Sequence, residues 1–153
     1  MKYRYLLIDN DNTLMDFHAA EHAALREALT EAGIEPTDAV CARYSAINDA
    51  LWKALERGET THAALKVARF AQLLAEYPAE NVCAPRLALR YSHYLGTHAD
   101  LMPGAEAFLR RLHGQMKIVL VSNGDSVIQR NRLFRCVFTP LLDNLSLIHI
   151  SEP

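Results

Sequence analysis

The stretch Leu6-Leu7-Ile8-Asp9-Asn10-Asp11-Asn12-Thr13 joins a short apolar run to a cluster of polar side chains. The apolar run, residues 3–8, is typical of a fully buried parallel strand that ends in a polar functional turn. A second run of the same kind, residues 117–121, ends at Ser122-Asn123-Gly124. Ligands of parallel α/β sheets bind beyond the carboxyl ends of the strands. If the two strands are neighbours, we therefore expect their polar turns to face one another.

Helical periodicity fills the chain between the two strands. Residues 16–100 carry apolar side chains at helical spacing, and Gly and Pro residues divide them into about four helices. Gly33 is placed to stop the first of them, and Thr60 and Thr61 offer an N-cap for another. Further along, the sequence predicts helices over 105–112 and 127–134 and a third strand over 145–150. This order predicts an α/β fold in which residues 1–15 and 101–153 form the core and residues 16–100 a helical insert.

Composition and charge restrict the classes of function. Of the 153 residues, half are apolar and 22% are charged, and the net charge of −2 is typical of a globular protein without a broad basic surface. We therefore expect no nucleic-acid partner, and the absence of a long apolar run predicts no membrane partner. The cysteines, Cys41, Cys83 and Cys136, have no metal-binding spacing and predict reduced thiols in the cytoplasm. The remaining classes of function are small-molecule chemistry and binding to a protein partner.

The polar turns carry candidate catalytic groups. Asp9 and Asp11 can serve one pocket, where one carboxylate attacks a substrate while the other transfers protons. The pair would also attract a hard divalent cation, Mg²⁺ above all. Ser122, with backbone N–H groups at a helix start, suits a phosphate. The alternatives are structural: an Asx turn after the strand with Thr13 as a cap, and an ordinary helix N-cap at Ser122 and Asn123.

Residues 7–14, with Asp-x-Asp-x-Thr after an apolar strand, resemble the first motif of the haloacid dehalogenase-like (HAD) superfamily. Residues 118–124 resemble its second motif, and the helical insert occupies the position of its cap domain. The resemblance implies a Rossmann-like core in which Asp9 forms an aspartyl-phosphate and Asp11 acts as acid and base. It also implies that Ser122 and Asn123 bind the phosphoryl group. Mg²⁺ would lie between Asp9, the carbonyl of Asp11 and a later acidic residue.

A narrower resemblance is to the pyrimidine 5′-nucleotidases of the YjjG type. It rests on Leu51-Trp52, Gly58 before Thr60, Arg69-Phe70, Gln129 and Arg132-Leu133. It implies a small phosphorylated substrate, a pyrimidine nucleoside 5′-monophosphate above others. A carboxylate at Asp11 favours release of an alkoxide, and hence a phosphatase, over carbon–halogen cleavage. A phosphomutase and a catalytically silent binding module stay open as alternatives.

Two side chains of the helical insert are candidate substrate contacts. Trp52 could stack on a base, and Arg69 could bind an anionic group of the substrate. The alternatives are that Trp52 is a core aromatic and that Arg69 is a solvated helix residue.

Two later motifs of the superfamily are missing. Its pattern continues with a Lys and then with acidic residues that complete the metal site, but no lysine follows Lys117, and only Glu152 is acidic after Asp143. We therefore expect a fragment that is marginally folded and nearly inactive, with an aggregation-prone open edge at the strand that bears Asp9. Residues 145–153 also resemble the translation of a sequencing adapter; the alternative is that they form the third strand.

Overall fold

The computed structural model describes residues 3–147. These residues divide into two units, one formed by residues 3–21 and 95–147 and the other by His22–Tyr94. The elements follow in the order β1 (Tyr5–Asp9), α1 (Phe17–Glu31), α2 (Asp38–Glu56), α3 (His62–Glu76), α4 (Ala84–Leu95), α5 (Ala105–Leu112), β2 (Lys117–Ser122), α6 (Ser126–Phe134), a short 3-10 helix (Thr139–Leu141) and β3 (Asn144–Leu147).

The first unit is built on a parallel sheet of three strands in the order β1-β2-β3. The register pairs Tyr5 with Lys117 and Asp9 with Val121, so β1 and β2 end at the same edge of the sheet. Parallel strands joined through helices confirm the predicted α/β fold. Of the third strand predicted over 145–150, residues 145–147 lie in β3, whereas residues 148–150 lie outside the described residues.

The two faces of the sheet differ in how far they are covered. One face packs with α5 and α6 in a single apolar cluster, to which β1 and β2 contribute Leu6, Ile8, Ile118 and Leu120. On the opposite face Tyr5 and Leu7 are 67% and 68% exposed. The prediction of a fully buried first strand is therefore wrong for residues 3–147, because only one face of β1 is covered there.

The second unit, His22–Tyr94, is helical. It contains α2, α3 and nearly all of α4 together with the larger part of α1. The rings of Tyr44, Phe70 and Tyr91 pack against one another in its interior, with centroids 5.4–5.9 Å apart. Four helices occupy the range 16–100, as the periodicity indicates, although the unit itself is shorter than that range at both ends.

Local side-chain signals set the helix ends. Thr61 accepts a hydrogen bond from the N–H of Ala64 at 3.2 Å and caps α3, in agreement with the predicted N-cap. Asp16 does the same for the N–H of Ala19 at 2.9 Å, at the start of α1. Gly33 adopts a φ of +75° just after α1, the left-handed conformation that commonly ends a helix. Within residues 3–147, no helix is long and apolar enough to cross a membrane.

Candidate active site

The turn after β1 is folded around Asn10. Asn10 is fully buried, and its carbonyl accepts hydrogen bonds from the N–H groups of residues 13–15 at 2.9–3.2 Å. Asn12 adopts a φ of +58°, and its side-chain oxygen accepts two N–H groups at the start of α1. The chain therefore reverses directly after the strand. This reversal holds Asp9 and Asp11 at the carboxyl end of the sheet.

Asp9 is exposed and lies at an open cavity of about 470 Å³ that also contacts the second polar turn. The lining residues are Leu7, Ile8, Asp9, Val121 and Asn123. One oxygen of Asp9, Oδ2, accepts a hydrogen bond from the hydroxyl of Thr13 at 3.2 Å. Because β1 and β2 are neighbours, the structure brings Asp9 and Asn123 to the same cavity.

Ser122 ends β2 and is buried, with 2% of its surface exposed. Its Oγ accepts a hydrogen bond from the N–H of Gly124 at 3.1 Å, which leaves the hydroxyl proton available for another acceptor. The N-cap of α6 is Asp125, whose carboxylate accepts the N–H groups of Val127 and Ile128 at 3.0 and 3.2 Å. The alternative that Ser122 and Asn123 are an ordinary helix N-cap is therefore wrong.

Asp11 is surrounded by side chains of α6. Its Oδ1 accepts a hydrogen bond from Nη1 of Arg132 at 2.5 Å, and its Oδ2 accepts one from Nε2 of Gln129 at 2.5 Å. Arg132 is fully buried, and its Nε donates to the carbonyl of His98 at 2.9 Å. The Gln129 carbonyl oxygen accepts a hydrogen bond from Nδ2 of Asn10 at 2.6 Å. Both oxygens of Asp11 are thus engaged, whereas Asp9 faces the cavity.

The donors at this turn fit a magnesium ion. Within residues 3–147 no three His, Cys, Asp or Glu side chains gather around a metal position. Mg²⁺, however, commonly binds one or two carboxylates, retains several waters and takes further oxygens from substrate phosphates. The exposed carboxylate of Asp9 and the backbone carbonyl of Asp11 are hard oxygen donors of that kind.

The candidate substrate contacts of the helical unit have different surroundings. Trp52, on α2, is 41% exposed, and its ring meets the His62 ring edge-on with centroids 5.5 Å apart. Arg69, on α3, is only 8% exposed. Its guanidinium carbon lies 4.6 Å from the centroid of the Tyr91 ring, and its Nη1 donates to Asn48 at 3.1 Å. The interpretation of Arg69 as a solvated helix residue is therefore wrong, while substrate contact by Trp52 or Arg69 stays a prediction.

Sequence reasoning gave no role to the partners of Asp11. Gln129 and Arg132 are three positions apart on α6 and hence on one helix face, the face that also buries Leu133. Polar residues at that spacing on a face expected to be apolar are a signal for a buried polar network. The sequence alone does not say which group they contact, because Asp11 lies more than a hundred residues away along the chain.

Comparison with known proteins places the chain among hydrolases. The family model of haloacid dehalogenase-like hydrolases matches residues 3–145. The HAD-hydrolase YfnB of Bacillus subtilis is 38% identical over 86% of this chain and 56% of its own length. The pyrimidine 5′-nucleotidase PynA of Streptococcus pneumoniae is 34% identical over 99% of this chain and 63% of its own. The pyrimidine 5′-nucleotidase YjjG of Escherichia coli is 28% identical over 99% and 64%.

The folds agree as well. The crystal structure of YfnB, described as bound to magnesium, matches with a TM-score of 0.88 at 34% identity, over 95% of this chain and 63% of that chain. The chain spans 56–64% of the length of these curated relatives. The match of the family model to residues 3–145, on a fold shared with YfnB, confirms the resemblance in the two strand-end motifs: the chain belongs to the haloacid dehalogenase-like hydrolase family.

Proposed function

We propose that this protein is a phosphatase of small phosphate esters that works through an aspartyl-phosphate. The observation that carries the proposal is the difference between its two turn carboxylates. Asp9 is exposed at a cavity, as a nucleophile must be, whereas Asp11 is held in one orientation by Gln129 and Arg132. A positioned second carboxylate can transfer protons to and from the reacting oxygens.

The roles follow from these positions. Asp9 attacks the phosphorus atom, and the bond to the leaving oxygen breaks while Asp11, in its protonated form, donates its proton to that oxygen and is left as the carboxylate. Asp11 then takes a proton from the water that attacks the aspartyl-phosphate, which releases phosphate and restores Asp9. The hydroxyl of Ser122 and the side chain of Asn123, next to the cavity, donate hydrogen bonds to the phosphoryl oxygens.

Magnesium is the proposed cofactor of this site. Asp9 and the carbonyl of Asp11 would hold it, in keeping with the magnesium described for the YfnB structure. The ion supplies positive charge that offsets the negative charge of the phosphoryl group.

The proposed substrate is a pyrimidine nucleoside 5′-monophosphate. This choice is supported by the names of PynA and YjjG, both pyrimidine 5′-nucleotidases.

We propose further that residues 16–100 act as the cap of the core formed by residues 1–15 and 101–153. Within the helical unit, the exposed ring of Trp52 is available to stack on a base, whereas Arg69 is enclosed by aromatic rings. The free cysteines support the expected location in the cytoplasm.

The 153 residues themselves should turn over slowly. After Ser122 they contain no lysine that could lie beside the phosphoryl group, and fixed positive charge there contributes strongly to catalysis. The 153-residue chain and the product of the complete reading frame should therefore be assayed side by side.

Phosphate release is the direct test. Purified product of the complete reading frame is incubated with Mg²⁺ and either uridine or adenosine 5′-monophosphate. We expect faster release from the uridine nucleotide, and a loss of at least about 10³-fold in Asp9→Asn, because the nucleophile is removed. The matched control Asp49→Asn, at an exposed carboxyl on α2, should keep wild-type activity. A wild-type protein that releases no phosphate from either nucleotide would contradict the proposal and favour a binding module.

A further inference from the structure

Asp11 is held at two points by one helix face. Gln129 and Arg132 each donate one hydrogen bond of 2.5 Å to a different carboxylate oxygen of Asp11. Each donor makes a second hydrogen bond that holds it in place. The Gln129 carbonyl oxygen accepts from Nδ2 of Asn10 at 2.6 Å, and Nε of Arg132 donates to the carbonyl of His98 at 2.9 Å. A two-point contact fixes both the position and the rotation of the carboxylate plane, which a single hydrogen bond would leave free.

Gly124 leaves the space that Gln129 occupies. A Cβ atom at residue 124 would lie 2.4 Å from Nε2 of Gln129 and 3.1 Å from its Cγ, both too close for an ordinary contact. A Cβ atom added at Gly33, Gly58, Gly104 or Gly114 would meet nothing within 4 Å. Because Gly124 has no side chain, the Gln129 amide has room to hold Asp11.

Stability is a poor explanation for this arrangement. Burying a guanidinium is costly, and a buried ion pair often contributes no more to stability than apolar residues of the same volume. Nη2 of Arg132 is buried and makes no hydrogen bond within residues 3–147, so the burial is only partly compensated. A carboxylate with two donors still has free lone pairs, so Asp11 can accept a further contact besides those from Gln129 and Arg132.

We propose that Gln129 and Arg132 are positioning residues for Asp11, and that Gly124 is small in order to admit Gln129. The assignment rests on the proposed phosphatase function, because only a reacting Asp11 needs a fixed orientation. Displacing an acid by about 1 Å costs up to roughly 100-fold in rate. That loss should depend on how much the leaving group needs a proton.

The leaving group therefore supplies the test. Uridine 5′-monophosphate leaves as an alkoxide that needs protonation, whereas p-nitrophenyl phosphate leaves as a stable phenolate that does not. For Gln129→Leu in the product of the complete reading frame, we compare kcat/KM, which reports the reaction up to departure of the leaving group and not the later hydrolysis of the aspartyl-phosphate, a step that both esters share. We expect kcat/KM for the uridine nucleotide to fall about 10- to 100-fold, and kcat/KM for p-nitrophenyl phosphate to change less than about 3-fold. Gly124→Ala should show the same selectivity. Gln115→Leu, an exposed residue outside the site, is the matched control.

Arg132→Lys provides a second arm if larger changes at that position fail to fold. Lysine keeps the charge beside Asp11 but loses the fork that also reaches the His98 carbonyl, so activity on the uridine nucleotide should fall less than in Gln129→Leu and still more than activity on p-nitrophenyl phosphate. Equal losses of kcat/KM with both substrates, or no loss with either, would overturn the assignment. A wild-type protein inactive on both esters would instead contradict the proposed function itself.

Discussion

Each unit buries one arginine, and the two are surrounded by different groups. Arg132, in the unit with the sheet, forms an ion pair with Asp11 and a hydrogen bond with the His98 carbonyl. Arg69, in the helical unit, donates a hydrogen bond to Asn48 and lies 4.6–5.8 Å from the centroids of three aromatic rings. Among residues 3–147 no carboxylate forms an ion pair with Arg69.

The difference shows that burial of a charge does not by itself mark a site. Aromatic faces attract a guanidinium and can be its main partners in a core, with each contact contributing about 0.5–2 kcal/mol. Arg132 also lies over one ring, with its guanidinium carbon 5.7 Å from the centroid of Phe17, but it has in addition a carboxylate partner on the turn that carries Asp9. The nature of the partner, rather than the degree of burial, separates the two positions.

Arg132→Met should give the largest change in stability. It leaves Asp11 without its cation in a partly buried position, and breaking such a pair costs about 3 kcal/mol in the free energy of unfolding. Urea denaturation of the product of the complete reading frame measures this cost. Arg130→Met, an exposed position on the same helix, is the control. In the double variant with Asp11→Asn most of the cost should disappear, and additive effects would contradict a coupled pair.

Arg69→Met should cost much less, about 1 kcal/mol or below. The change removes the attraction to the rings but also the cost of burying a charge, and it strands no carboxylate. The same denaturation measurement applies. A loss of unfolding free energy as large as that in Arg132→Met would contradict the difference drawn between the two buried arginines. A raised KM for the uridine nucleotide at wild-type stability would instead support the prediction that Arg69 contacts the substrate.

The exposed pair Lys117–Asp143 should have the smallest effect and a pH dependence of known sign. The hydrogen bond from Lys117, followed by that from the N–H of Ile118, lowers the pKa of Asp143 below its usual value. Its stabilisation is therefore fully present above the unfolded-state pKa and is lost as the pH falls through the lower folded-state pKa. Acid titration of the melting temperature should show a steeper loss in wild type than in Asp143→Asn. Parallel curves would contradict a contribution from this pair.

Much of the fold followed from local patterns. The apolar runs predicted β1 and β2, and Thr61 and Gly33 predicted helix ends, Thr61 through a hydrogen bond from a nearby N–H group and Gly33 through a left-handed φ. These signals act over a few residues, so a sequence carries them directly. The exposed outer face of β1 could not be predicted in this way, because an apolar run does not show whether one or both faces of its strand are covered.

The candidate site was predicted only in its outline. Asp9, Asp11, Ser122 and Asn123 were identified from two motifs, and the sheet register brings the motifs together. The contacts of Asp11 with Gln129 and Arg132 join residues more than a hundred positions apart, so no local signal could reveal them. The environments of Arg69 and Arg132 likewise depend on tertiary packing, and from sequence the two arginines look alike.

A hydroxylamine trap tests the central claim that Asp9 becomes phosphorylated. Hydroxylamine attacks the acyl carbon of an aspartyl-phosphate, expels phosphate and leaves a hydroxamate on the side chain. The product of the complete reading frame is incubated with Mg²⁺, uridine 5′-monophosphate and hydroxylamine, and its peptides are analysed by mass spectrometry. We predict a hydroxamate at Asp9 that requires the nucleotide and is absent from Asp9→Asn. Continued turnover with Asp9 unmodified, or modification of another carboxylate in its place, would contradict the account.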